Sequence, residues 1–429
     1  MPQPILKAYH LLLALGAAFW YGRPSEHLTV IGVTGTKGKS TTVQYVGRLL
    51  EHAGYKVGWT STAGFKVGDR EWANAKKMTM LGRFQTQKLL REMVDAGCTH
   101  AVVETSSQGV DQFRHAGINY DMAVFTNLTP EHIEAHGGFE NYKKAKGKFF
   151  AHVAGMGKTC VVNIDDEHAP YFLSFPFEKK FGYGFAGKTP AMDAVRQNFV
   201  PVLATDLILS GQGSTFSVDG HAMQVRPIGL FNVYNVLAAI SVCRAIGFSW
   251  EKIEKGIAAL LPVPGRLEFI DEGQDFSVVV DYAYEPAGLQ ACFDALRLLK
   301  RHRMIHVLGS AGGGRDVARR TVLGAMTAKE SDIVIVTNED PYDDDPRIIM
   351  DQVAEGAMRM GKEEGIHVFR VLDRQTAIDQ AVALAKPGDL VLLTGKGSEP
   401  VMAVARGKYI PWDERAAARR ALQKRMHAV

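Results

Sequence analysis

A glycine-rich segment near the start of the chain has the residue types and spacing of a phosphate-binding loop. The segment 34–41, TGTKGKST, directly follows an apolar run and directly precedes a helical pattern. In such loops the backbone N–H groups point at phosphate oxygens, the lysine reaches the terminal phosphates, and the serine hydroxyl can ligate Mg²⁺. The residues that we expect to bind a nucleotide are Gly35, Thr36, Lys37, Gly38, Lys39, Ser40 and Thr41.

This loop motif is a shortened one. The full pattern has another glycine at the position of Val33. The shortened form is less specific by itself, and a glycine-rich turn without a ligand is the alternative. The strand predicted before the loop and the helix predicted after it therefore support much of the nucleotide-binding interpretation.

The residues from 28 to 165 predict the elements that must position this loop. Short apolar runs alternate with helical patterns, and the runs are continuous, as in strands buried on both faces of a parallel sheet. We predict strands at 28–33, 99–105, 121–128 and 158–165, and helices at 41–53, 85–96 and 139–154. The fold class that follows is α/β, with a doubly wound central domain of the P-loop type.

Residues 203–228 have a different pattern, in which apolar and polar residues alternate. A turn at Asp219 and Gly220 separates two of the runs. The strands predicted there are 203–210, 213–218 and 221–228. They predict a small antiparallel sheet, followed by a helix at 232–247.

After residue 260 the alternation of strands and helices begins again. Two prolines and a glycine in the segment 261–265, LPVPG, break regular structure and indicate a linker. The strands predicted after it are 276–283, 304–309, 332–339, 367–372 and 389–395, and a terminal helix is predicted at 412–429. This pattern predicts a second doubly wound, Rossmann-like α/β domain at the C-terminus.

The composition limits the class of protein. The chain of 429 residues is long enough for two or three domains, and its net charge of +4 comes from 50 basic and 46 acidic residues. Such a mild balance, without a dense basic run, argues against binding to nucleic acid. The four cysteines lie far apart and form no zinc-binding spacing, so a reducing cytoplasm is expected.

An apolar run at 11–20, LLLALGAAFW, precedes the first predicted strand. It is shorter than the roughly 20 residues that are needed to cross a bilayer. We expect a helix that packs on the domain behind it. The alternatives are an interfacial helix in peripheral contact with a membrane and a signal peptide, although no small-residue cleavage site follows.

The segment 33–42, VTGTKGKSTT, resembles the ATP loop of the Mur ligases and of the related folylpolyglutamate synthetases. Further blocks resemble motifs of Mur ligases of the MurE type, and they occur in the order of that family. These blocks are ETSSQG at 104–109, NLTPEH at 127–132 with HG at 136–137, YKKAK at 142–146, NIDD at 163–166, GLFNVYN at 229–235, PGR at 264–266, DYA at 281–283 and GKGSE at 395–399. Together they are far more specific than any one block.

The resemblance implies an ATP-dependent amide ligase that adds an amino acid to a peptidoglycan-precursor peptide such as UDP-MurNAc-L-Ala-D-Glu. ATP would phosphorylate a substrate carboxylate, and an amine would then displace phosphate from the acyl phosphate. Two Mg²⁺ ions and Lys39 would neutralise the charge on the transferring phosphoryl group. The implied partners are a small-molecule or nucleotide-sugar peptide and an amino acid, and we expect a monomer.

The resemblance also implies roles for single residues. Lys39, Lys146 and His132 would be catalytic. The Mg²⁺ ligands would be Ser40, Glu104, His132 and Lys146, the last as a carbamate, which turns a cation into an anion. Without the resemblance, Glu104 would be interpreted as a solvated strand end, His132 as a structural hydrogen-bonding residue and Lys146 as an exposed helix lysine.

The remaining expected contacts come from the same resemblance. The ATP contacts outside the loop would be Asn232, Asn235, Arg266 and Asp281, although the two asparagines could instead cap a helix. The substrate-binding residues would be Thr79, Gln87, Ser107, Arg315, Glu339, Asp340, Tyr342, Gly395 and Glu399. The implied domains are an N-terminal apolar helix at 1–26, a central ATP-binding domain at 27–264 and a C-terminal amino-acid-binding ligase domain at 265–429.

Several positions depart from the family's motifs. Tyr284 and Glu285 replace the histidine and threonine of DYAHTP, and Ser398 replaces the histidine of GKGHE. Tyr342 replaces the arginine of DNPR, which would pair with the second carboxylate of diaminopimelate, so we expect an amine such as lysine. Residues 1–27 are too few for even a small domain of about 50 residues. Uridine recognition is therefore expected to be absent, reduced or supplied otherwise.

Two other interpretations stay open. A folylpolyglutamate synthetase or another amide ligase would not need a uridine-binding domain, whereas the blocks after residue 100 favour the MurE type. A non-catalytic subunit that only binds nucleotide is favoured by the departures at Tyr284 and Ser398. Five residues whose presence argues against it are Lys39, Glu104, His132, Lys146 and Asp281.

Overall fold

The computed structural model describes residues 3–130, 136–187, 198–314 and 317–427. The residues predicted as sites at His132 and Arg315 lie outside these ranges. The chain divides into two compact units between Leu261 and Pro262.

The first unit contains both helices and strands in alternation. Its helices are α1 (Gln3–Trp20), α2 (Lys39–His52), α3 (Arg83–Asp95), α4 (Ser107–Asp111), α5 (Phe139–Ala154), α6 (Ala169–Leu173), α7 (Leu230–Ile246) and α8 (Trp250–Ala258). Its strands are β1 (Thr29–Thr34), β2 (Val57–Thr60), β3 (Gly64–Val67), β4 (Arg70–Ala73), β5 (His100–Glu104), β6 (Met122–Phe125), β7 (Thr159–Asn163), β8 (Lys179–Phe185), β9 (Phe199–Ser210), β10 (Gly213–Val218) and β11 (His221–Val225). The predicted α/β pattern is confirmed.

One sheet runs through the described part of this unit in the order β11-β10-β9-β8-β7-β6-β1-β5-β2-β3-β4. The ladders from β2 to β9 are parallel, and both edges are antiparallel hairpins. The antiparallel strands predicted in 203–228 are confirmed, but the prediction of a separate small sheet is wrong. Strand β9 pairs with β8 as well as with β10, because alternation reports the type of a strand and not its neighbours.

Strand β1 lies in the middle of this sheet and is buried on both faces. Val30, Ile31 and Val33 have no accessible surface. A Cβ at Gly32 would collide with the ring of Phe149, so the glycine allows α5 to pack closely on the strand. The residues that follow β1 are therefore held at the centre of the carboxyl edge of the sheet.

The second unit is also an α/β layer structure. Its strands are β12 (Glu268–Phe269), β13 (Ser277–Val280), β14 (Met304–Leu308), β15 (Ile333–Thr337), β16 (Val368–Val371), β17 (Leu390–Leu393), β18 (Val401–Val404) and β19 (Lys408–Pro411). Its helices are α9 (Pro286–Leu296), α10 (Ala318–Glu330), α11 (Pro346–Met358), α12 (Arg374–Leu384) and α13 (Glu414–Met426). The main sheet has the order β12-β13-β17-β14-β15-β16, parallel except for β12. The second doubly wound domain is thus confirmed.

Helix α1 packs on the first unit through its small residues. Ala14, Ala17 and Ala18 are buried, and the helix contacts α3. Phe19 and Trp20 are exposed. In the described ranges no helix combines the length and the apolar character needed to cross a membrane. The predicted packing of the helix is confirmed, and its peripheral contact with a membrane stays a prediction.

Candidate active site

The loop between β1 and α2 lies where the strand order of the first sheet changes direction. Strand β1 pairs in parallel with β5 on one side and with β6 on the other. In doubly wound sheets, ligands bind at such points, outside the carboxyl ends of the strands. Helix α2 begins at Lys39 with Gly38 as its N-cap, so the positive end of the helix dipole faces the loop.

Two positions of the loop require glycine. Gly35 and Gly38 have φ angles of 148° and 79°. A Cβ at Gly35 would collide with Oγ1 of Thr126, and a Cβ at Gly38 would collide with Oδ1 of Asn235. The loop backbone therefore packs directly on two polar side chains, and its shape is set by the surrounding protein.

Thr126 and Asn127 brace the loop, a role that the sequence did not suggest. Asn127 accepts hydrogen bonds from two backbone N–H groups at 2.8 Å, from Thr36 through its carbonyl and from Lys37 through Oδ1. Thr126 Oγ1 donates to the carbonyl of Lys37 at 2.7 Å. The available signal was the position of both residues directly after β6, the neighbour of β1. The N–H groups of Thr36 and Lys37 are therefore already paired within the protein.

Two lysines converge on the backbone of the loop. Lys39 Nζ donates to the carbonyl of Thr36 at 2.8 Å, and Lys146 Nζ donates to the carbonyl of Gly35 at 2.7 Å. Lys146 is 1% exposed and lies 4.4 Å from the centroid of the Tyr142 ring. The alternative interpretation of Lys146 as an exposed helix lysine is therefore wrong, and both predicted catalytic lysines lie against the loop.

Ser40 and Glu104 meet at the carboxyl edge of the first sheet. Ser40 Oγ donates to Glu104 Oε2 at 2.7 Å, and Glu104 is buried rather than solvated. Thr62 donates to the same carboxylate from its N–H at 2.7 Å and from its hydroxyl at 3.2 Å. The sequence did not indicate Thr62, whose only signal is a polar triplet at the end of β2. A hydroxyl and a carboxylate are suitable Mg²⁺ ligands, so these residues fit one ion.

A histidine, His136, lies near this edge and follows the predicted site residue His132, which lies outside the described ranges. His136 Nε2 lies 3.0 Å from Ser107 Oγ, and His136 Nδ1 lies 3.2 Å from Asp111. Burial lowers the pKa of His136, although Asp111 opposes this effect. Within the described ranges no three His, Cys, Asp or Glu side chains form a metal-binding group.

The other predicted substrate residues of the first unit lie in different places. The hydroxyl of Thr79 lies 3.0 Å from that of Thr62, so Thr79 belongs to the Glu104 cluster. Gln87 is buried on α3 and donates to the carbonyl of Gly117 at 3.0 Å. Their contacts with a substrate stay predictions.

The two asparagines of α7 that are predicted to contact ATP face helix α2. Asn235 Oδ1 accepts from the hydroxyl of Thr42 at 3.3 Å, and Asn232 Oδ1 accepts from the hydroxyl of Tyr45 at 3.4 Å. The N-cap of α7 is Gly229, so the capping interpretation of these asparagines is wrong. They join α2, the helix that follows the nucleotide loop, to α7. Their contact with ATP stays a prediction.

In the second unit, Asp281 follows β13 and fixes the chain around it. Its two carboxylate oxygens accept from the N–H groups of Leu267 and Ala283, each at 2.7 Å. Burial raises the pKa of Asp281, and the charge of Arg266 lowers it. Arg266 Cζ lies 4.1 Å from the centroid of the Tyr282 ring. Both predicted ATP contacts of this unit therefore lie at the carboxyl end of β13.

A buried lysine that the sequence did not single out organises the predicted amino-acid-binding residues. Lys396 is fully buried and donates to both oxygens of Asp340, at 3.0 and 3.1 Å, and to Glu399 at 2.8 Å. Glu399 also accepts from the hydroxyl of Tyr282 at 2.8 Å. The available signal was the place of this lysine inside the block GKGSE. Two carboxylates therefore share one ammonium.

Two more predicted residues, Glu339 and Gly395, face each other at the same edge. A Cβ at Gly395 would collide with Oε2 of Glu339. That oxygen is buried and has no hydrogen-bond partner within the described residues. Burial raises the pKa of Glu339 to about 7. Tyr342 has a φ of 52°, and a Cβ at Gly313 would lie 2.8 Å from its Cγ, so its ring packs on the glycine loop after β14.

Two family descriptions match most of the chain. The Mur ligase middle domain matches residues 33–243, and the Mur ligase, glutamate ligase domain matches residues 265–397. The first range contains the nucleotide loop, and the second contains Asp340 and Lys396.

Individual relatives are similar over nearly the whole chain. A "UDP-N-acetylmuramoyl-L-alanyl-D-glutamate--2,6-diaminopimelate ligase" from Geobacillus kaustophilus is 35% identical, with 99% of this chain and 85% of the relative covered. A "UDP-N-acetylmuramyl-tripeptide synthetase" from Roseiflexus sp. is 38% identical, with 98% and 84% covered. A solved structure of a ligase with the first name has a TM-score of 0.61 at 27% identity and covers 93% of this chain and 79% of its own. The chain belongs to the Mur ligase family and is of the MurE type.

Proposed function

We propose that this protein joins an amino acid to a UDP-MurNAc-L-Ala-D-Glu-type peptide at the expense of ATP. The observation that supports this most directly is the loop at the end of β1, where Ser40 and Glu104 lie 2.7 Å apart and Lys39 begins α2. The terminal phosphoryl group of ATP would move to a carboxylate oxygen, giving an acyl phosphate and ADP. The amine would then attack the carbonyl carbon, and phosphate would leave as the amide forms.

The residues of the loop also fit the ions that this reaction needs. Ser40 and Glu104 would hold one Mg²⁺, which would neutralise charge on the phosphoryl group when bound. We propose a second Mg²⁺ site with His132 and a carbamate on Lys146. The Lys146 ammonium donates to Gly35 and cannot ligate a cation. The ammonium must therefore first lose a proton, and the free amine would then add CO₂ and release a second proton to give the carbamate.

We propose lysine as a better substrate than diaminopimelate. Tyr342 stands where the family's DNPR motif has arginine, and a phenol cannot form the charged, bidentate pair that a second carboxylate would need. Two carboxylates, those of Asp340 and Glu399, share the Lys396 ammonium, and such a carboxylate-rich site favours a cationic side chain on the amine substrate. The four buried free cysteines are compatible with the reducing cytoplasm in which this reaction would take place.

The experiment is phosphate release from ATP by purified protein, with UDP-MurNAc-L-Ala-D-Glu as the peptide and lysine or diaminopimelate as the amine. Release should require both the peptide and an amino acid, and kcat/KM should be higher for lysine. The Lys39→Ala variant should lose at least about 100-fold in kcat, whereas Lys88→Ala, at an exposed helix position, should retain activity. Phosphate release without the peptide would contradict the ligase function. Faster release with diaminopimelate than with lysine would contradict the proposed preference for lysine.

A further inference from the structure

Arg319 carries a buried guanidinium group, one edge of which meets no partner among the described residues. It is the second residue of α10, and its side chain is 9% exposed. Its Nη1 lies 3.7 Å from Oε1 of Glu285, and its Cζ lies 5.8 Å from the centroid of the Tyr284 ring. Its Nε and Nη2 atoms are buried, and neither has a hydrogen-bond partner in the described ranges.

Two other arginines of this unit show what the same edge binds elsewhere. Arg374 holds Glu414 through Nε at 2.9 Å and Nη2 at 2.6 Å. Arg303 holds Asp389 with the same two nitrogens: Nη2 lies 2.6 Å from Oδ2, and Nε lies 3.2 Å from Oδ2 and 3.4 Å from Oδ1. In both pairs Nε and Nη2 bind one carboxylate, and in the Arg374 pair each nitrogen meets its own oxygen, which is the arrangement that the planar guanidinium favours. The Nε–Nη2 edge of Arg319 is the matching half of such a pair.

A guanidinium in this environment has a strong requirement for an acceptor. Arginine keeps its proton at every physiological pH. A buried charged donor without an acceptor loses its hydration and receives nothing in return, which costs more than an unpaired neutral group. A carboxylate that arrived with a ligand would recover this free energy.

The neighbours of Arg319 favour a zwitterion over a simple anion. Glu285 lies 3.7 Å away, and Glu339 is close enough for the charge of Arg319 to act on it, although burial dominates the pKa of Glu339. These carboxyl groups would repel the concentrated negative charge of a phosphate. An amino acid brings an ammonium group together with its carboxylate. The three residues also follow β13, β14 and β15, whose parallel ladders place their carboxyl ends at one edge.

We propose that the Nε–Nη2 edge of Arg319 binds a carboxylate of the incoming amino acid, and that Glu285 is a positioning residue that holds Nη1. This inference rests on the proposed ligase function and assigns a residue of its amino-acid site. Glu285 stands where the family's DYAHTP motif has threonine. At this position the chain therefore has a carboxylate beside Arg319, whereas the motif has a hydroxyl group.

The test removes the carboxylate from the ligand and the guanidinium from the protein, separately and together. Phosphate release is measured with UDP-MurNAc-L-Ala-D-Glu and either lysine or lysinamide, in the wild type, Arg319→Gln and Arg319→Lys. The wild type should prefer lysine in kcat/KM by at least about tenfold, the usual effect of a charge-assisted bidentate pair. Arg319→Gln should lose most of that preference with an unchanged KM for ATP. Arg319→Lys should keep an intermediate preference, because an ammonium cannot form two parallel bonds.

The outcomes separate this inference from the function on which it rests. If Arg319→Gln lowers kcat/KM equally for lysine and lysinamide, the guanidinium does not meet the carboxylate, and the inference is overturned while the ligase function stands. If Arg319→Gln does not fold, Arg319→Lys decides, and a preference equal to that of the wild type overturns the inference. If the wild type releases no phosphate with any amino acid, the proposed function fails and the inference fails with it.

The positioning role of Glu285 has its own readout. Glu285→Gln preserves the shape of the side chain and removes its charge. It should raise the KM for lysine by about threefold to tenfold, with little change in kcat, because Arg319 would be held less firmly. An unchanged KM for lysine would contradict the positioning role.

Discussion

The ammonium group of Lys146 lies 2.7 Å from the carbonyl oxygen of Gly35, although the two residues are 111 positions apart in the chain. This buried hydrogen bond joins helix α5 to the first glycine of the nucleotide loop. A carbamate on Lys146 would remove the positive charge beside this carbonyl and leave one N–H group on Nζ to donate to it. Carbamylation would therefore change the charge that faces the loop.

Replacing Lys146 by alanine is expected to lower kcat for phosphate release by at least about 100-fold. The change removes both the contact with Gly35 and the proposed anionic ligand. Added acetate should restore part of the activity, because a free carboxylate can occupy the space left by the side chain. Lys144→Ala is the control, since Lys144 is exposed on the same helix. A Lys146→Ala protein that acetate does not affect would contradict the carbamate proposal.

Glu104→Gln is expected to raise the Mg²⁺ concentration for half-maximal phosphate release by at least about tenfold, which corresponds to roughly 1.4 kcal/mol. The amide preserves the size of the side chain, but it is a weaker ligand for a hard cation than a carboxylate. A titration of activity with MgCl₂ measures this shift. Glu178→Gln, at an exposed position of the same unit, should leave the titration unchanged. Equal Mg²⁺ dependence in both variants would exclude Glu104 as a ligand.

Gly38→Ala and Gly54→Ala form a matched pair that isolates the packing of the loop. Both glycines have positive φ angles, of 79° and 92°, but only the Cβ at Gly38 would meet a neighbour, Oδ1 of Asn235. Both substitutions should cost about 1–2 kcal/mol of backbone strain. Gly38→Ala should also weaken ATP binding by at least about tenfold in calorimetry, whereas Gly54→Ala should leave it unchanged. If both variants bound ATP with the same affinity, the loop would tolerate its displacement by a Cβ at residue 38.

The carboxyl group of Glu339 is expected to make the stability of the protein depend on pH. Burial raises its pKa from 4.5 to about 7. Between pH 4.5 and pH 7 the carboxyl group is therefore protonated in the folded state and ionised in the unfolded state. Its contribution to stability is therefore present below pH 4.5 and is lost as the pH rises through about 7. Relative to the wild type, Glu339→Gln should gain on the order of 1–3 kcal/mol in the free energy of unfolding between pH 5 and pH 8.

Urea unfolding at the two pH values measures this gain, and Glu363→Gln, at an exposed position of the same unit, is the control. If the difference in unfolding free energy between Glu339→Gln and the wild type did not change with pH, the Glu339 carboxyl would titrate normally.

The sequence predicts the parts of this protein whose signals are local. The loop from Gly35 to Ser40 and the continuous apolar strands can be recognised because spacing and periodicity are properties of neighbouring residues. The approach of Ser40 to Glu104 also follows, since the ends of parallel strands meet at one edge.

The remaining features depend on contacts between distant segments. Thr62 and Asn127 follow strand ends without any motif that distinguishes them from ordinary polar turn residues. Lys396 becomes central only when β17 brings it to Asp340. The pairing of β9 with β8 is likewise not predicted from the sequence. Pairing between strands is decided by tertiary packing rather than by the pattern of one strand.

The proposed function requires that the phosphoryl group of ATP is transferred to a carboxylate oxygen of the peptide. This transfer can be followed by supplying UDP-MurNAc-L-Ala-D-Glu with heavy oxygen in its carboxylates, together with ATP, Mg²⁺ and lysine, and by analysing the released phosphate by mass spectrometry. The acyl phosphate route predicts that each phosphate carries one heavy oxygen from the peptide, because the C–O bond breaks when the amine attacks. Phosphate without the label, formed together with ADP, would contradict the account.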